Sequence, residues 1–270
     1  MKSTLLYRTV EWHPRLINLS KRLEISHYVL PDLPKVYSES DRKFFDLDSK
    51  GKIMTIAACH HNEKTLRKLV VEMDESVDKL LVVGGNEKEQ IFNGKSRSAK
   101  LSSTDAIGVL LDQDSKLEVW ATSNPNTEKS IDDVKNKVSA GASGIITQPL
   151  LSSPAFDILN AYPREKTISQ SDGEYCLRTQ YVAGVAMPSN NKSLQFWLTL
   201  LRQPELENDS LFKSHMAFFQ SPYFSSLAWI QRELWNLEMN TSIDGFHFMP
   251  MQNICDLEAL LCVNKPRENI

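Results

Sequence analysis

The sequence lacks the features that mark membrane, secreted and nucleic-acid-binding proteins. No apolar run approaches the ~20 residues that span a bilayer, and the apolar stretch within residues 1–12 is too short for a signal peptide. Basic residues form no block, and 31 Lys and Arg against 34 Asp and Glu give a net charge of -3. A surface of this kind disfavours nucleic acids and anionic membranes. We therefore expect a cytoplasmic protein that contacts neither and acts on a small molecule.

Metal and dinucleotide motifs are also missing. The four cysteines show no CxxC pair and no zinc-ligand spacing to a histidine pair; they are Cys59, Cys176, Cys255 and Cys262. His60 and His61 are adjacent, so in a strand they would point to opposite faces, and the first strand carries no H-x-H pair. There is no GxGxxG fingerprint. The sequence predicts no metal site and leaves any nicotinamide-binding residues unassigned.

Short apolar runs alternate with helical stripes along the whole chain. The length of 270 residues with 41% apolar and 24% charged residues is that of a globular protein, and it allows either two domains or one large barrel. The runs are separated by helical patterns, as in parallel βα units. They are 5–11, 26–30, 53–59, 80–86, 117–122, 144–148, 182–188 and 246–251. We expect a single (β/α)8 TIM-type barrel over residues 1–270, with a loop across 35–52.

In a TIM barrel, chemistry occurs where the strands end at their carboxyl side. We therefore expect one set of strand-end residues to converge on a single mouth. The set is Glu11, Cys59 with His60, Asn86, Thr122 to Asn124, Gln148, Met187 with Pro188, and His247 with Asn253.

Several of these strand ends resemble one enzyme family. The segment DDVKNKVSAGASGIITQPL, Asp132 to Leu150, is similar in residue identities and spacing to the LK-x-KVDAGADFIITQ segment of methylenetetrahydrofolate reductases. VAGVAMP, from Val182, resembles that family's IPGIMP strand, and GFHFMPMQN, from Gly245, resembles its final G-x-HFYTLN. TVEWHP, from Thr9, is similar to the opening SFEFFPP. The resemblance runs in order over about 250 residues.

This resemblance implies an activity and its acid. The family reduces 5,10-methylenetetrahydrofolate to 5-methyltetrahydrofolate: reduced nicotinamide, NADH or NADPH, passes a hydride to FAD, and the flavin passes it to the methylene carbon. Glu11 falls on the family's catalytic glutamate, which protonates folate N10 as the methylene bridge opens. A carboxylic acid must stay protonated near neutral pH for this role, and a poorly solvated barrel mouth can supply that condition. Asn86, also predicted as catalytic, stands where the family has an aspartate.

The resemblance also implies binding residues. Gln148 would hold the pterin edge, since an amide can both donate and accept hydrogen bonds, and Gln195 is a second predicted substrate contact. The predicted FAD contacts are Thr122 and Ser123, Lys137, and the backbone of Ala140, Gly141 and Ala142.

Departures from the family pattern weaken the predicted flavin site. ATSNPNTEK, residues 121–129, has neither the tyrosine nor the histidine of the family's AYPEGHPEA, and Ser130 replaces a frequent aspartate. Each lost hydrogen bond costs on the order of 1 kcal/mol, so we expect FAD to bind weakly. The alternative is a barrel of the same family that has lost FAD and redox chemistry and binds folate or docks to a partner.

Each candidate residue also has an ordinary structural interpretation. Glu11 could pair with a cation inside the barrel, Gln148 could be a satisfied buried amide, and Lys137 could be a solvated surface lysine. A hydrogen-bonded core role is favoured for His247. The aromatic residues between Phe212 and Trp235 are typical of core packing, or of the interface of a homo-oligomer.

Overall fold

The computed structural model describes residues 7–13, 15–16, 19, 22–31, 51–84, 101–127, 129–170, 173–200, 209–221, 225–250 and 253–261. For residues 166–170, 173–177, 191, 198 and 200 it describes the backbone alone. The predicted loop 35–52 lies outside the described residues up to position 50, and it is wrong for residues 51 and 52, because strand β3 begins at Gly51.

Within these ranges, strands and helices alternate along the chain. The strands are β1 Tyr7–Glu11, β2 His27–Leu30, β3 Gly51–Ala57, β4 Lys79–Val83, β5 Glu118–Ser123, β6 Gly144–Pro149, β7 Glu165–Gln170, β8 Gly173–Arg178, β9 Gln180–Ala186 and β10 Gly245–Met249. The α-helices are α1 Glu63–Glu72, α2 Ser103–Gln113, α3 Ser130–Ala140, α4 Ser153–Asn160, α5 Asn191–Leu200, α6 Ser210–Gln220, α7 Ser226–Asn240 and α8 Ile254–Leu261, and Ala58–His60 is a 3-10 turn.

Eight strands close into a parallel barrel in the order β1-β10-β9-β6-β5-β4-β3-β2. The prediction of a (β/α)8 barrel is confirmed, and each of the eight predicted runs overlaps one of its strands. Parallel pairing places all the carboxyl ends at one mouth and the helix-to-strand connections at the opposite end.

Local signals define several helix ends. Asn62 accepts from the backbone N–H of Thr65 at 2.9 Å in a capping box, and α3 ends at Gly141, whose φ of 121° favours glycine. Ser130 and Asp133 have the sequence spacing of a capping box, but they do not form one, because Lys129 precedes the helix without a side-chain cap. The hydroxyl of Ser130 instead hydrogen-bonds that of Tyr162.

The barrel interior is filled in layers. Its middle layer is apolar and consists of Val29, Ile53, Leu81, Trp120, Ile146 and Val182. The alternate, outward side chains of the same strands pack against the helices in a larger core, as Val10, Leu80 and Phe248 do. The two periodicities, two in strands and 3.6 in helices, therefore separate an inner and an outer core.

Three aromatic rings, one of them the Trp120 ring of the middle layer, close the barrel floor at its amino-terminal end. Tyr7 stands edge-on to Trp120, with ring centroids 5.1 Å apart, and lies 6.0 Å from the ring of His27. The residue beside each ring on the neighbouring strand is a glycine: Gly245 beside Tyr7, Gly144 beside Trp120 and Gly51 beside His27. A Cβ at Gly51 or Gly144 would collide with the ring beside it, and one at Gly245 would collide with the carbonyl oxygen and Cβ of Tyr7, so the glycines make room for the floor.

One element has no counterpart in the sequence prediction. The chain between α4 and β9 forms an antiparallel hairpin, β7 with β8, that stands apart from the barrel sheet. Its two strands, EKTISQ and GEYCLR, carry few apolar residues among polar ones, which explains why hydrophobic periodicity does not reveal it.

The aromatic residues late in the chain pack mostly as core. Phe212 and Trp229 are buried, and the ring of Trp229 lies 5.7 Å from that of Phe219. Trp235 is different, with 58% of its surface exposed.

The glycine at position 144 should be required for stability. A Cβ there would lie 2.5 Å from the fully buried indole of Trp120. We expect Gly144→Ala to lower the free energy of unfolding by about 1–3 kcal/mol, the usual cost of overpacking. As a control, Gly108→Ala in α2 meets nothing within 4 Å and should stabilise the protein by up to ~1 kcal/mol. Urea denaturation of both variants checks this; a stable Gly144→Ala protein would contradict the proposed fit between ring and glycine.

Candidate functional site

Glu11 lies at the carboxyl end of β1, on the strand face that also carries Thr9 and Tyr7 into the barrel interior. Burial raises the pKa of its carboxyl group from 4.5 to about 7. Desolvation is the cause of this shift, and within the described part of the chain no cation lowers the pKa. No hydrogen bond or ion pair of its side chain occurs within the described ranges, so the ordinary interpretation as a paired carboxylate is not supported there. The site therefore holds an acid that is half protonated near neutral pH.

A hydrogen-bonded pair lies one layer below Glu11. His247 is buried in the middle of β10, and its Nδ1 lies 2.9 Å from Oγ1 of Thr9, the residue beside it across the strands. Burial lowers the pKa of His247 to about 3, so the imidazole is neutral. The expectation that His247 marks a strand end is wrong, because two further residues of β10 follow it. Its core role is confirmed, and sequence reasoning missed its partner Thr9.

Gln148 lies at the carboxyl end of β6, and its side-chain oxygen Oε1 is buried with no hydrogen-bond partner among the residues that the structure describes. The ordinary interpretation as a satisfied amide therefore fails for this atom. A buried acceptor without a partner costs free energy that a ligand N–H can recover.

A bulge positions Gln148. Between Ile146 and Pro149, strand β6 has one more residue than β9 opposite it, and Thr147 Oγ1 accepts the N–H of Gly184 at 3.0 Å. A side chain at Gly184 would collide with the carbonyl oxygen of Thr147 and approach the carbonyl carbon of Gln148 to 2.9 Å. Gly184 is thus a functional residue that sequence reasoning missed, although a glycine inside a buried strand is the usual signal of such a close approach.

The predicted flavin contacts Thr122 and Lys137 are joined to each other. The Lys137 ammonium donates to the carbonyl oxygen of Thr122 at 2.8 Å and to Oδ2 of Asp133 at 2.5 Å. Lys137 is buried, so the surface-lysine interpretation is wrong. Ser123, next to Thr122, is also buried. Lys137 therefore holds the end of β5 against α3.

Other predicted site residues are not brought to the mouth. Ala140, Gly141 and Ala142 lie between the end of α3 and the start of β6, which is the opposite end of the barrel. Gln195 is exposed on α5. Asn86 lies outside the described residues. The structure thus brings Glu11, Thr122 and Gln148 to one end of the barrel, and separates from them the three residues that end α3.

A second buried polar cluster lies away from the mouth, between α6 and α7. His215 contacts Glu233 at 3.4 Å and the guanidinium of Arg232 at 3.2 Å. Burial lowers the pKa of His215 to about 4 and raises that of Glu233 to about 8. Both groups are therefore neutral at pH 7, as burial away from water requires.

Within the described ranges, no group of three or more His, Cys, Asp and Glu side chains could hold a metal ion. The absence of a metal stays a prediction. Among the helices described, none is long and apolar enough to cross a membrane.

The raised pKa of Glu11 makes stability depend on pH. Between pH 4.5 and about 7 the Glu11 carboxyl keeps a proton in the folded protein that it has lost in the unfolded chain, so the contribution of Glu11 to the free energy of unfolding falls as the pH rises through this window. Each pKa unit corresponds to about 1.4 kcal/mol, so ionised Glu11 costs on the order of 2–3 kcal/mol. We expect Glu11→Gln to be more stable than the parent by about that amount at pH 8, and nearly equal to it at pH 4.5.

Urea denaturation of parent and variant at the two pH values measures this difference. Glu75→Gln, at an exposed position in the turn after α1, is the matched control and should give the same difference from the parent at both. A Glu11→Gln protein that is less stable than the parent at pH 8 would show that the carboxylate has a stabilising partner.

In comparisons with known proteins, no family model and no curated protein sequence matches this chain. Among solved structures, it is similar to a protein from Clostridium thermocellum that binds two copies of 5-methyl-5,6,7,8-tetrahydrofolic acid. The TM-score is 0.58 at 15% identity, over 94% of this chain and 92% of that one. A 2,3-dimethylmalate lyase of the PEP mutase/isocitrate lyase superfamily follows, with a TM-score of 0.49 at 10% identity, over 96% and 81% of the two chains. At this identity, the first likeness shows the barrel fold.

Proposed function

We propose that the mouth of the barrel binds a reduced folate and that Glu11 delivers a proton to it. The observation that carries this proposal is an acid that has no counter-charge among the described residues, its pKa raised to about 7, at the carboxyl end of a barrel strand. The folate bound by the Clostridium thermocellum protein of similar fold supports the choice of ligand, as does the motif resemblance described above.

Gln148 supplies the contact that recognises the ligand. Its buried oxygen can accept an N–H from the edge of a pterin ring, which carries several such donors. The bulge at Thr147 and Gln148, set by Gly184, fixes where that oxygen lies. Recognition therefore depends on a backbone irregularity as well as on the amide itself.

Proton transfer from Glu11 would open the methylene bridge of the folate. With a 5,10-methylene folate bound, neutral Glu11 gives its proton to N10, the bond between N10 and the methylene carbon breaks, and an iminium forms at N5. Glu11 is left as a carboxylate, which the cationic iminium stabilises. His247, neutral and hydrogen-bonded to Thr9, adds no competing positive charge beneath the carboxyl group.

The predicted FAD set does not fit a flavin site at the mouth. The ammonium of Lys137 is engaged by Asp133 and by the carbonyl of Thr122, and the backbone of residues 140–142 lies at the opposite end of the barrel. The chemistry proposed for the mouth therefore has no step that uses FAD or NAD(P)H. This arrangement favours a folate-binding barrel.

Flavin-dependent reduction of methylenetetrahydrofolate is the second candidate function. One observation favours it: a protein that only binds folate gains nothing from an unpaired carboxyl group whose burial costs stability. The visible absorption spectrum of the purified protein, and of the protein mixed with FAD, separates the two candidates. Bound flavin that NADH or NADPH reduces supports the reductase, and its absence at high FAD supports the binding barrel.

Binding is tested with 5-methyltetrahydrofolate by titration calorimetry. Gln148→Leu should weaken binding about fivefold to tenfold, since one hydrogen bond is lost. Gln231→Leu, at an exposed position on α7, is the matched control and should bind as the parent does. Parent protein that fails to bind either 5-methyl- or 5,10-methylenetetrahydrofolate would refute the proposal.

The acid is tested by Glu11→Gln, which keeps the size of the side chain but cannot deliver a proton. Affinity for 5-methyltetrahydrofolate should change little. If the parent reduces methylenetetrahydrofolate, the variant should be slower by about 10²- to 10⁴-fold, the usual range for general acid catalysis. Reduction of bound flavin by the nicotinamide should survive, because it requires no proton on folate. Unchanged folate reduction in the variant would assign Glu11 a structural role.

A further inference from the structure

The hairpin formed by β7 and β8 pairs with no other strand in the described part of the chain. An isolated two-stranded ribbon is marginally stable in water, and its free edges offer unpaired N–H and C=O groups to another strand. We propose that β8 pairs antiparallel with β8 of a second copy of this chain, so that two hairpins form one four-stranded sheet in a homodimer.

The root of the hairpin is fixed to the barrel. Arg178, the last residue of β8, donates to Oδ1 of Asp244 at 2.6 Å, and Oδ2 of this buried carboxylate accepts the N–H of Tyr181 at 2.9 Å. Directly before β7, the guanidinium of Arg164 lies 4.4 Å from the centre of the Tyr181 ring. Because β8 leads directly into the start of β9, the hairpin leaves the barrel at the end opposite the mouth. A dimer through β8 therefore keeps both mouths open.

The hydrogen-bond pattern of the hairpin shows which backbone groups face outward. In antiparallel strands, opposite residues alternate between pairs that exchange hydrogen bonds and pairs that do not. Thr179 donates its N–H to the carbonyl of Arg164 at 3.0 Å, so the bonded pairs above it are 166 with 177, 168 with 175 and 170 with 173. The N–H and C=O groups of Glu174, Cys176 and Arg178 consequently lie along the free edge of β8.

One register uses all three outward residues. If β8 pairs with its copy about a two-fold axis at Cys176, residue 176 stands opposite 176, and Glu174 stands opposite Arg178 of the second copy. The symmetry produces this opposite-charge pair twice, and the Arg178 side chain, 64% exposed, has further N–H donors for Glu174 besides the one that Asp244 accepts. The register with three bonded pairs is thus also the one with complementary charges.

The edge of β7 does not bring opposite charges together in the corresponding register. Its outward residues are Glu165, Thr167 and Ser169, and the corresponding register about Thr167 sets Glu165 opposite Ser169. Charge complementarity therefore selects β8 over β7 and a second copy of the chain as the occupant.

The test is the mass of the full-length protein in solution by light scattering and sedimentation. We expect a dimer whose dissociation constant rises by about tenfold in Glu174→Arg, because two attractive pairs become repulsive. Ser169→Arg introduces the same side chain at an outward position of β7 and should leave the dimer unchanged. A protein that stays monomeric at all concentrations, or a dimer that Glu174→Arg leaves intact, would overturn the proposal, and so would a dimer that Ser169→Arg also dissociates.

A cross-link provides a second, independent measurement should Glu174→Arg fold poorly. Diamide takes two electrons and two protons from a pair of thiols and leaves a disulfide and the hydrazine. We expect it to form a covalent dimer that Cys176→Ser abolishes and Cys255→Ser does not, because residue 176 alone stands opposite itself in this register. A cross-link that depends on Cys255 would place the interface elsewhere and overturn the proposal.

Discussion

The interior of a closed eight-stranded barrel must be filled by the side chains that point into it, and the other features of this protein depend on how that space is divided. Rings opposite glycines fill the floor, and aliphatic side chains around Trp120 fill the middle. Because these two layers supply the packing, the third layer at the mouth can hold polar groups such as Glu11, Thr122 and Gln148. These polar side chains are not needed to fill the barrel interior, so they remain available to contact a ligand.

Burial without a fully compensating charge also sets the protonation states of the ionisable groups. Each of the buried ionisable groups His247, Glu233 and Glu11 lacks the charged partner that would compensate for desolvation in full, and the pKa of each moves toward its neutral form. For Glu11 the shift stops near 7, which leaves an acid that can both give and regain a proton at working pH. The free energy lost by burying it without a partner is the kind of local cost that functional sites carry.

The two ends of the barrel serve different purposes. The mouth carries an uncompensated acid and an unpartnered amide oxygen, as a site for a small polar ligand requires. The opposite end carries a rigid floor and a hairpin whose root is held by an ion pair with buried Asp244. Since dimerisation through the hairpin would occur far from the mouth, binding and assembly can vary independently.

The sequence by itself determined the alternation of strands and helices, and with it the barrel, because hydrophobic periodicity and caps such as Asn62 and Gly141 are local signals. It also placed Glu11 and Gln148 at strand ends. Tertiary structure alone decided the rest. The Thr9 to His247 pair joins residues at opposite ends of the chain, the bulge beside Gly184 depends on the register of two strands, and Lys137 finds Asp133 and Thr122 only when α3 packs on β5. The hairpin, whose residues lack a strong hydrophobic pattern, is defined by pairing between its own two strands. The hydrophobic pattern along a chain shows which face of each segment is buried away from water. Charge compensation, strand register and close backbone approach instead depend on neighbours that only folding brings together.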